Sequence, residues 1–344
     1  MEMGIIASDL GIDLGTSNTL VYAKRKGIVV SDPTIVVADS TNERVVRAVG
    51  DDARIMLGRT TEGVMAVRPM REGVITDFDT TVEMLRYFRK KAIGVSYLAK
   101  PRVFLSYPCS LSAIERRAVG EAAKHSGARK VLLVEKPFAA ALGSGLPVFD
   151  PNGCMVVDIG GGTTDVAVIS LGGVVISHSI RVGGTKMDEA IIDFIKREFN
   201  ILIGDRTAEE VKLDLAAALP LRAERRARIR GRDMVTNLPQ TTEINSTQIY
   251  EAIHEPCMAI LGAIKWVLER TPPELAADIM HNGIYLTGGG SLLYGMDQLI
   301  ASELGIPVLL AKEPMDCAAL GLGNIIENYE LLQQLGRTSF ITNA

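Results

Sequence analysis

The chain has 344 residues, of which 47% are hydrophobic and 23% charged, and its formal net charge at pH 7 is -4. This length exceeds what one hydrophobic core usually organises, so we expect two lobes. The composition excludes a disordered chain and gives no reason to expect a nucleic-acid partner. The four cysteines lack disulfide or metal-ligand spacing, and no apolar stretch reaches the roughly 18 residues of a membrane span.

A strand-turn-strand unit occurs near the start of the chain, at 11–22, and again near its middle, at 156–167. Each copy places an aspartate, an apolar residue and a glycine before small residues and a threonine. This pattern is typical of a β-hairpin whose turn is made of glycine and hydroxyl residues. The repetition predicts two lobes of related fold that face each other, and the strand and helix signals that follow favour α/β layering.

Further elements are predicted in chain order on each side of the second hairpin. Before it we expect a strand over 102–107, a helix capped at Ser112, a strand over 131–134 and an alanine-rich helix after Pro137. After it we expect a helix over 187–199, a helix capped at Thr207, a strand over 284–287, a helix to about 304 and a helical tail over 315–334.

The two hairpin turns are candidate phosphate-binding loops. Turns of this kind present several backbone N–H groups to one anion, because glycine has no Cβ to hold the phosphate away. Asp13 and Asp158 precede the turns at the same offset, so two carboxylates would lie beside the phosphates. Such an arrangement calls for a bridging cation, and Mg²⁺ is the expected one. A third glycine cluster at 288–290 ends a strand and predicts close approach of a nucleoside.

These segments resemble the actin superfamily and, within it, the MreB/Mbl family of bacterial actin homologues. The similarity runs from Asp9 to about Asn328 and is densest at 13–19, 68–75, 158–165, 203–209, 270–275 and 286–291. It implies an α/β, actin-like ATPase fold, with two lobes of duplicated RNase H-like topology and four subdomains around a nucleotide cleft. Lobe I would comprise 1–148 and 315–344, with a small subdomain at about 33–65. Lobe II would comprise 149–314, with a small subdomain at about 183–245.

The resemblance also implies ATP or ADP bound with Mg²⁺, and it assigns roles to residues of this chain. The implied phosphate contacts are Gly15, Thr16, Ser17, Asn18, Gly160, Gly161, Gly162 and Thr163. The implied nucleoside and other cleft contacts are Glu209, Lys212, Gly288, Gly289, Gly290, Ser291 and Asp188. Asp13 and Asp158 would orient water molecules on Mg²⁺, and Thr164 would position the attacking water.

One position departs from the family pattern. The family places a glutamate immediately before the proline of a Glu-Pro-x-Ala-Ala-Ala segment, where it polarises the attacking water, and here that residue is Lys136. Glu135 lies one residue earlier, where a continuing strand would point its side chain to the opposite face. Lysine has no carboxylate to accept a proton. We therefore expect nucleotide binding with slow or absent hydrolysis, unless Lys136 points elsewhere or a bulge brings Glu135 into the cleft.

The resemblance further implies a cytoplasmic protein whose filaments lie on the inner face of the cell membrane. These filaments would organise cell-wall synthesis and cell shape. The candidate membrane residues are Ile5, Ile6, Val95, Tyr97 and Leu98, with Lys90, Lys91, Lys100 and Arg102 facing lipid. These apolar side chains would alternatively pack onto lobe I. Expected partners are further copies in protofilaments and the wall-elongation proteins RodZ, MreC and MreD.

Three questions stay open at the level of sequence. The arginine-rich run at 222–232 has no interleaved aromatic residue, so we expect a solvated connector or filament contact there and not a nucleic-acid site. A small-molecule kinase of the superfamily would use the same hairpins, but it needs a catalytic carboxylate aimed at its acceptor. A plasmid-partitioning actin is the other alternative, with looser motif matches.

Overall fold

The structure is a computed structural model that describes residues 9–39, 45–56, 63–94 and 100–344. The first half of the chain begins with the predicted hairpin and continues with alternating strands and helices. Its elements are β1 (Leu10–Leu14), β2 (Asn18–Ala23), β3 (Gly27–Pro33), β4 (Val36–Asp39), β5 (Val46–Val49), α1 (Asp51–Met56), β6 (Val64–Val67), β7 (Met70–Arg71), β8 (Val74–Ile75), α2 (Phe78–Ile93), β9 (Arg102–Tyr107), α3 (Ala113–His125), β10 (Lys130–Glu135) and α4 (Lys136–Gly143).

The second half opens with the repeated hairpin. Its elements are β11 (Cys154–Ile159), β12 (Thr164–Ser170), β13 (Gly173–Ile180), α5 (Gly184–Phe199), β14 (Ile201–Leu202), α6 (Asp205–Leu215), β15 (Arg226–Asp233), β16 (Pro239–Asn245), α7 (Ser246–Leu268), α8 (Pro273–Asn282), β17 (Ile284–Thr287), a 3₁₀ turn (Gly289–Leu292), α9 (Met296–Leu304) and β18 (Val308–Leu310). The tail adds α10 (Cys317–Glu327), α11 (Tyr329–Gln334) and β19 (Ile341–Asn343).

The two main sheets share one topology. Their strand orders are β19-β10-β9-β1-β2-β3 and β13-β12-β11-β17-β18. In the first sheet β1, β2 and β3 are antiparallel, while β9 and β10 run parallel to β1. In the second sheet β11, β12 and β13 repeat the antiparallel part, and β17 and β18 repeat the parallel part. The duplicated topology predicted from the repeated hairpin is therefore confirmed.

Helices α4 and α10 connect the two sheets. α4 follows the first sheet but packs on β11 and β12, whereas α10 follows the second sheet and packs on β1 and β2. A Cβ on Gly321 would lie 1.8 Å from the carbonyl oxygen of Ala139, and one on Gly143 would lie 1.8 Å from that of Cys317. The backbones of the two helices touch at these glycines, and the surrounding apolar cluster draws side chains from both halves of the chain.

Smaller sheets and helix ends correct parts of the sequence analysis. The described residues also form the sheets β5-β4-β6, β14-β15-β16 and β7-β8, and most of the arginine-rich run is strand β15 instead of a connector. The prediction that Thr207 caps a helix is wrong, because α6 starts at Asp205 after Gly204. The helix expected after the third glycine cluster begins only at Met296, because a 3₁₀ turn comes first. None of the described helices combines the length and apolar character that crossing a membrane requires.

Candidate functional site

The two hairpin turns repeat the same hydrogen bond. In the first turn the Gly15 N–H donates to the Asn18 carbonyl over 3.1 Å, and in the second the Gly160 N–H donates to the Thr163 carbonyl over 2.8 Å. Both bonds close a turn between antiparallel strands, so the motif found twice in the sequence builds the same local structure twice. The two turns line one cleft from opposite sides.

The turns also approach each other closely across this cleft. A Cβ on Gly161 would lie 2.0 Å from Ser17 Oγ, and one on Gly162 would lie 2.2 Å from Thr16 Oγ1. Thr16 Oγ1 itself accepts a hydrogen bond of 3.1 Å from the Gly73 N–H. Glycine is therefore required in the second turn by contact with the first, which explains the small residues at these positions.

Each hairpin aspartate accepts a hydroxyl hydrogen bond from the neighbouring parallel strand. Asp13 stands in register with Ser106 of β9, and Asp158 stands in register with Thr287 of β17. Ser106 Oγ donates to Asp13 Oδ1, and Thr287 Oγ1 donates to Asp158 Oδ1 over 3.1 Å. Sequence reasoning missed both hydroxyl residues. The signal for them was their common place near the end of a buried strand followed by proline or glycine.

Lys136 points into the cleft between the two aspartates. It is the first residue of α4, and its side chain is 12% exposed. Its Nζ lies 3.0 Å from Asp158 Oδ2 and 3.9 Å from Asp13 Oδ2. Burial alone would lower the pKa of Lys136, but the carboxylates of Asp13, Asp158 and Asp165 raise that pKa above its ordinary value. Lys136 is therefore a cation in the cleft, and the alternative in which it points elsewhere does not hold.

Glu135 and Thr164 do not reach the cleft surface. The Tyr107 hydroxyl donates to Glu135 over 3.5 Å, and burial raises the pKa of this carboxyl. No bulge turns Glu135 into the cleft, because β10 runs through it and α4 begins at the next residue. Thr164 is fully buried, and its hydroxyl donates to the Val182 carbonyl over 2.8 Å. Thr163, one residue earlier, lines the cleft instead.

Helix α6 supplies two polar side chains to one wall of the cleft, Glu209 and Lys212. Lys212 Nζ lies 2.8 Å from Asp188 Oδ1, so Asp188 stands behind the wall as the partner of this lysine. Burial raises the pKa of Asp188 to about 6, against the opposing effect of Lys212. Glu209 pairs at 3.7 Å with Arg54 of α1, an exposed contact between the two halves of the chain. Ser291 is buried and donates to a carbonyl of its own turn.

These groups surround a cavity of about 340 Å³, a size typical of small-molecule sites. The predicted residues that line it are Asp13, Gly15, Thr16, Ser17, Asn18, Lys136, Asp158, Gly160, Gly161, Gly162, Thr163, Glu209, Lys212, Gly288, Gly289 and Gly290. Sequence reasoning missed its apolar wall, which is formed by Leu213, Leu292, Tyr294 and Met315. A polar floor between two glycine turns, with an apolar wall beside it, suits a ligand that carries both phosphates and a flat ring.

The candidate membrane residues Ile5, Ile6, Val95, Tyr97 and Leu98 lie outside the described residues. Two basic side chains that were expected to face lipid are engaged within the protein. Arg102 is mostly buried and pairs with Asp9 at 2.6 Å, and Lys91 pairs with Asp32 at 2.6 Å. The prediction that Arg102 faces lipid is therefore wrong.

Two sheets of one topology, joined by two closely packed helices, with a glycine-lined cleft, define an actin-like fold. The model of the family described as MreB/Mbl protein matches residues 7–334, and the chain belongs to this family. It is 48% identical over 328 residues to the cell shape-determining protein Mbl of Bacillus subtilis, covering 95% of this chain and 98% of that protein. It is 46% identical over 332 residues to the cell shape-determining protein MreB of Escherichia coli, and the match covers 95% of this chain and 96% of that protein.

A solved structure gives the corresponding comparison of folds. The crystal structure of MreB5 of Spiroplasma citri bound to AMPPNP superimposes with a TM-score of 0.89 at 34% sequence identity, and the match covers 96% of this chain and 99% of that one. The same protein bound to ADP gives a TM-score of 0.87, with 96% and 98% of the two chains covered. The actin-like fold expected from the sequence is confirmed.

Proposed function

We propose that this protein binds ATP or ADP in the cleft and forms filaments that help determine cell shape by organising cell-wall synthesis. The observation that carries the nucleotide is the pair of equivalent hairpin turns, which line one cavity from opposite sides. The nucleotide-bound structures of MreB5 and the names of the Mbl and MreB relatives support the same proposal. Calorimetric titration with AMPPNP and ADP tests it, and absence of any binding would refute it.

The cleft suggests how the nucleotide lies. The phosphates would bind at the two hairpin turns, where Lys136 and Lys212 add positive charge. The base would lie against the apolar wall around Tyr294, and the ribose would face Glu209. We also propose the lobe boundaries given by the resemblance, because the tail strand β19 pairs with β10 of the first sheet, whereas β18 pairs with β17 of the second.

Mg²⁺ is the cation that the sequence predicts beside Asp13 and Asp158. The two aspartates have instead the Lys136 ammonium next to them, at 3.0 Å and 3.9 Å. A divalent cation does not fit between the carboxylates together with this ammonium, since the two cations would repel each other. No step of the proposed function therefore depends on Mg²⁺.

We propose that hydrolysis is slow. The cleft position that carries a glutamate in the family pattern carries the Lys136 ammonium here, which cannot accept a proton from water. Glu135 does not take its place, because its side chain lies by Tyr107 outside the cleft. Steady-state phosphate release should therefore be slow in the wild type and at least about tenfold faster in Lys136→Glu. Equal, brisk release by both proteins would contradict this proposal.

Self-association is supported by an exposed apolar turn between β15 and β16. Met234, Val235 and Leu238 are 46%, 82% and 64% exposed at this tip. Neighbouring apolar side chains exposed to this extent usually mark a contact surface. We expect Val235→Asp to abolish the ATP-dependent rise in light scattering and the filaments seen by negative-stain microscopy. Ile114→Asp, at an 83% exposed site on α3, is the matched control, and equal loss in both variants would argue against the tip.

We propose that the filaments lie on the inner face of the cell membrane, with the protein itself cytoplasmic and with RodZ, MreC and MreD as partners. The proposed anchor is formed by Ile5, Ile6, Val95, Tyr97 and Leu98. Co-sedimentation with anionic liposomes should fall when Val95 and Leu98 are both changed to serine. Undiminished co-sedimentation of that double variant would remove the loop from the anchor.

A further inference from the structure

We propose that the Lys136 ammonium replaces the divalent cation at the two hairpin aspartates, so that this chain binds adenine nucleotides without Mg²⁺. This inference rests on the proposed nucleotide binding and concerns the cation requirement of the same cleft. It comes from three observations: where Lys136 is fixed, how the aspartates are held, and what charge the lysine brings.

Lys136 is held in place by its position in the chain. It is the first residue of α4 and is followed by Pro137, which is pre-organised for a helix start. β10 ends at the preceding residue, so the Cα is fixed between a strand of the first sheet and a helix packed on the second. The side chain then spans the short distance to both aspartates and is largely buried there. Lys136 is thus a built-in cation and not a mobile surface charge.

The two aspartates are oriented toward this cation. In each, one carboxylate oxygen accepts a hydroxyl hydrogen bond, from Ser106 to Asp13 and from Thr287 to Asp158. The other oxygen of each aspartate is the one closest to Lys136 Nζ. Asp158 Oδ2 is buried and has no aligned hydrogen bond, so its contact with Lys136 is an ion pair. The ammonium therefore takes the bridging place that the sequence assigned to a metal ion.

The charge balance supports the replacement. With the glutamate of the family pattern at position 136, this position and the two aspartates would together carry a charge of -3. With Lys136 beside Asp13 and Asp158 the charge is -1, because -2 from the aspartates is joined by +1. The difference of two units equals the charge of one Mg²⁺ ion. An ammonium also provides three N–H donors for phosphate oxygens, and it spares the cost of stripping water from Mg²⁺.

The test is the affinity for AMPPNP, which removes any effect of hydrolysis, measured by calorimetry in Mg²⁺ buffer and again in EDTA. For the wild type we expect the two dissociation constants to agree within about threefold, as an intrinsic cation requires. For Lys136→Glu we expect the affinity to fall at least about tenfold on going from Mg²⁺ to EDTA. Lys136→Gln, which removes the charge at nearly constant size, should show the same direction of change.

Lys91→Gln is the matched control, because it also removes a lysine that pairs with a buried aspartate, Asp32, but outside the cleft. It should bind AMPPNP in EDTA as the wild type does. A tenfold or greater loss of wild-type affinity in EDTA would overturn the inference while leaving nucleotide binding intact. Insensitivity of a folded Lys136→Gln to EDTA would overturn it as well. Absence of binding in either buffer would instead refute the proposed function itself.

Discussion

The backbone contact between α4 and α10 predicts a large effect from a single methyl group. In Gly321→Ala the new Cβ would stand 1.8 Å from the Ala139 carbonyl oxygen, whereas an ordinary contact starts at 3.4 Å. The helices would have to separate by about 1.6 Å, the difference between these two distances. Because the obstacle is backbone, no change of side-chain rotamer relieves it.

Overpacking of this kind costs typically about 1–3 kcal/mol, and the backbone contact places Gly321→Ala at the upper end, near 3 kcal/mol. The displacement would also reach the cleft, since α4 begins with Lys136. We therefore expect a lower urea midpoint together with weaker binding of AMPPNP. Both can be measured on the same preparation, by circular dichroism in urea and by calorimetry.

Gly262 supplies a control of opposite sign. It lies in α7, and a Cβ there would meet nothing within 4 Å. Gly262→Ala should therefore stabilise the protein by about 0.5–1 kcal/mol, the usual gain from replacing a helical glycine. If Gly321→Ala unfolds at the wild-type midpoint, the backbones do not touch as described and the reasoning fails.

Three further predictions concern charge and packing. The pKa of Asp188 is raised to about 6, so protonation of this carboxyl stabilises the folded state by at most about 3 kcal/mol. This stabilisation is complete below about pH 4 and is lost as the pH rises through 6. Urea unfolding at several pH values should show this loss in the wild type and not in Asp188→Asn, and parallel curves would contradict it. Arg54→Gln removes the exposed pair with Glu209 and should speed release of a fluorescent ATP analogue up to about fivefold at low salt; an unchanged release rate would count against a role for the pair. Phe340→Ala removes a buried ring and should cost about 3–5 kcal/mol, which a thermal melt near that of the wild type would disprove.

The duplicated hairpin made the main features of the fold predictable. Asp13 and Asp158 stand at equivalent positions of two short motifs, and such a repeat fixes strand order, turn geometry and the facing of two lobes together. The strand over 102–107 and the capping box at Ser112 were also predictable, because each depends only on residues that are neighbours in sequence.

Features that depend on distant residues were not predictable from these patterns. Ser106 and Thr287 reach the aspartates only because parallel strands far apart in sequence stand in register. The apolar wall combines side chains such as Leu213 and Met315 from separate elements, so no periodicity marks it. The direction of Lys136 depended on where β10 ends and α4 starts, and helix ends are the least reliable part of a sequence prediction.

The exchange of α4 and α10 between the sheets has a consequence for motion. Neither half of the chain keeps a complete core when the other is pulled away, because the shared apolar cluster would be split. The halves therefore cannot part at α4 and α10 without exposing that cluster to water. The pair of Arg54 with Glu209 also joins the two halves, but it is exposed and would separate at a much lower cost.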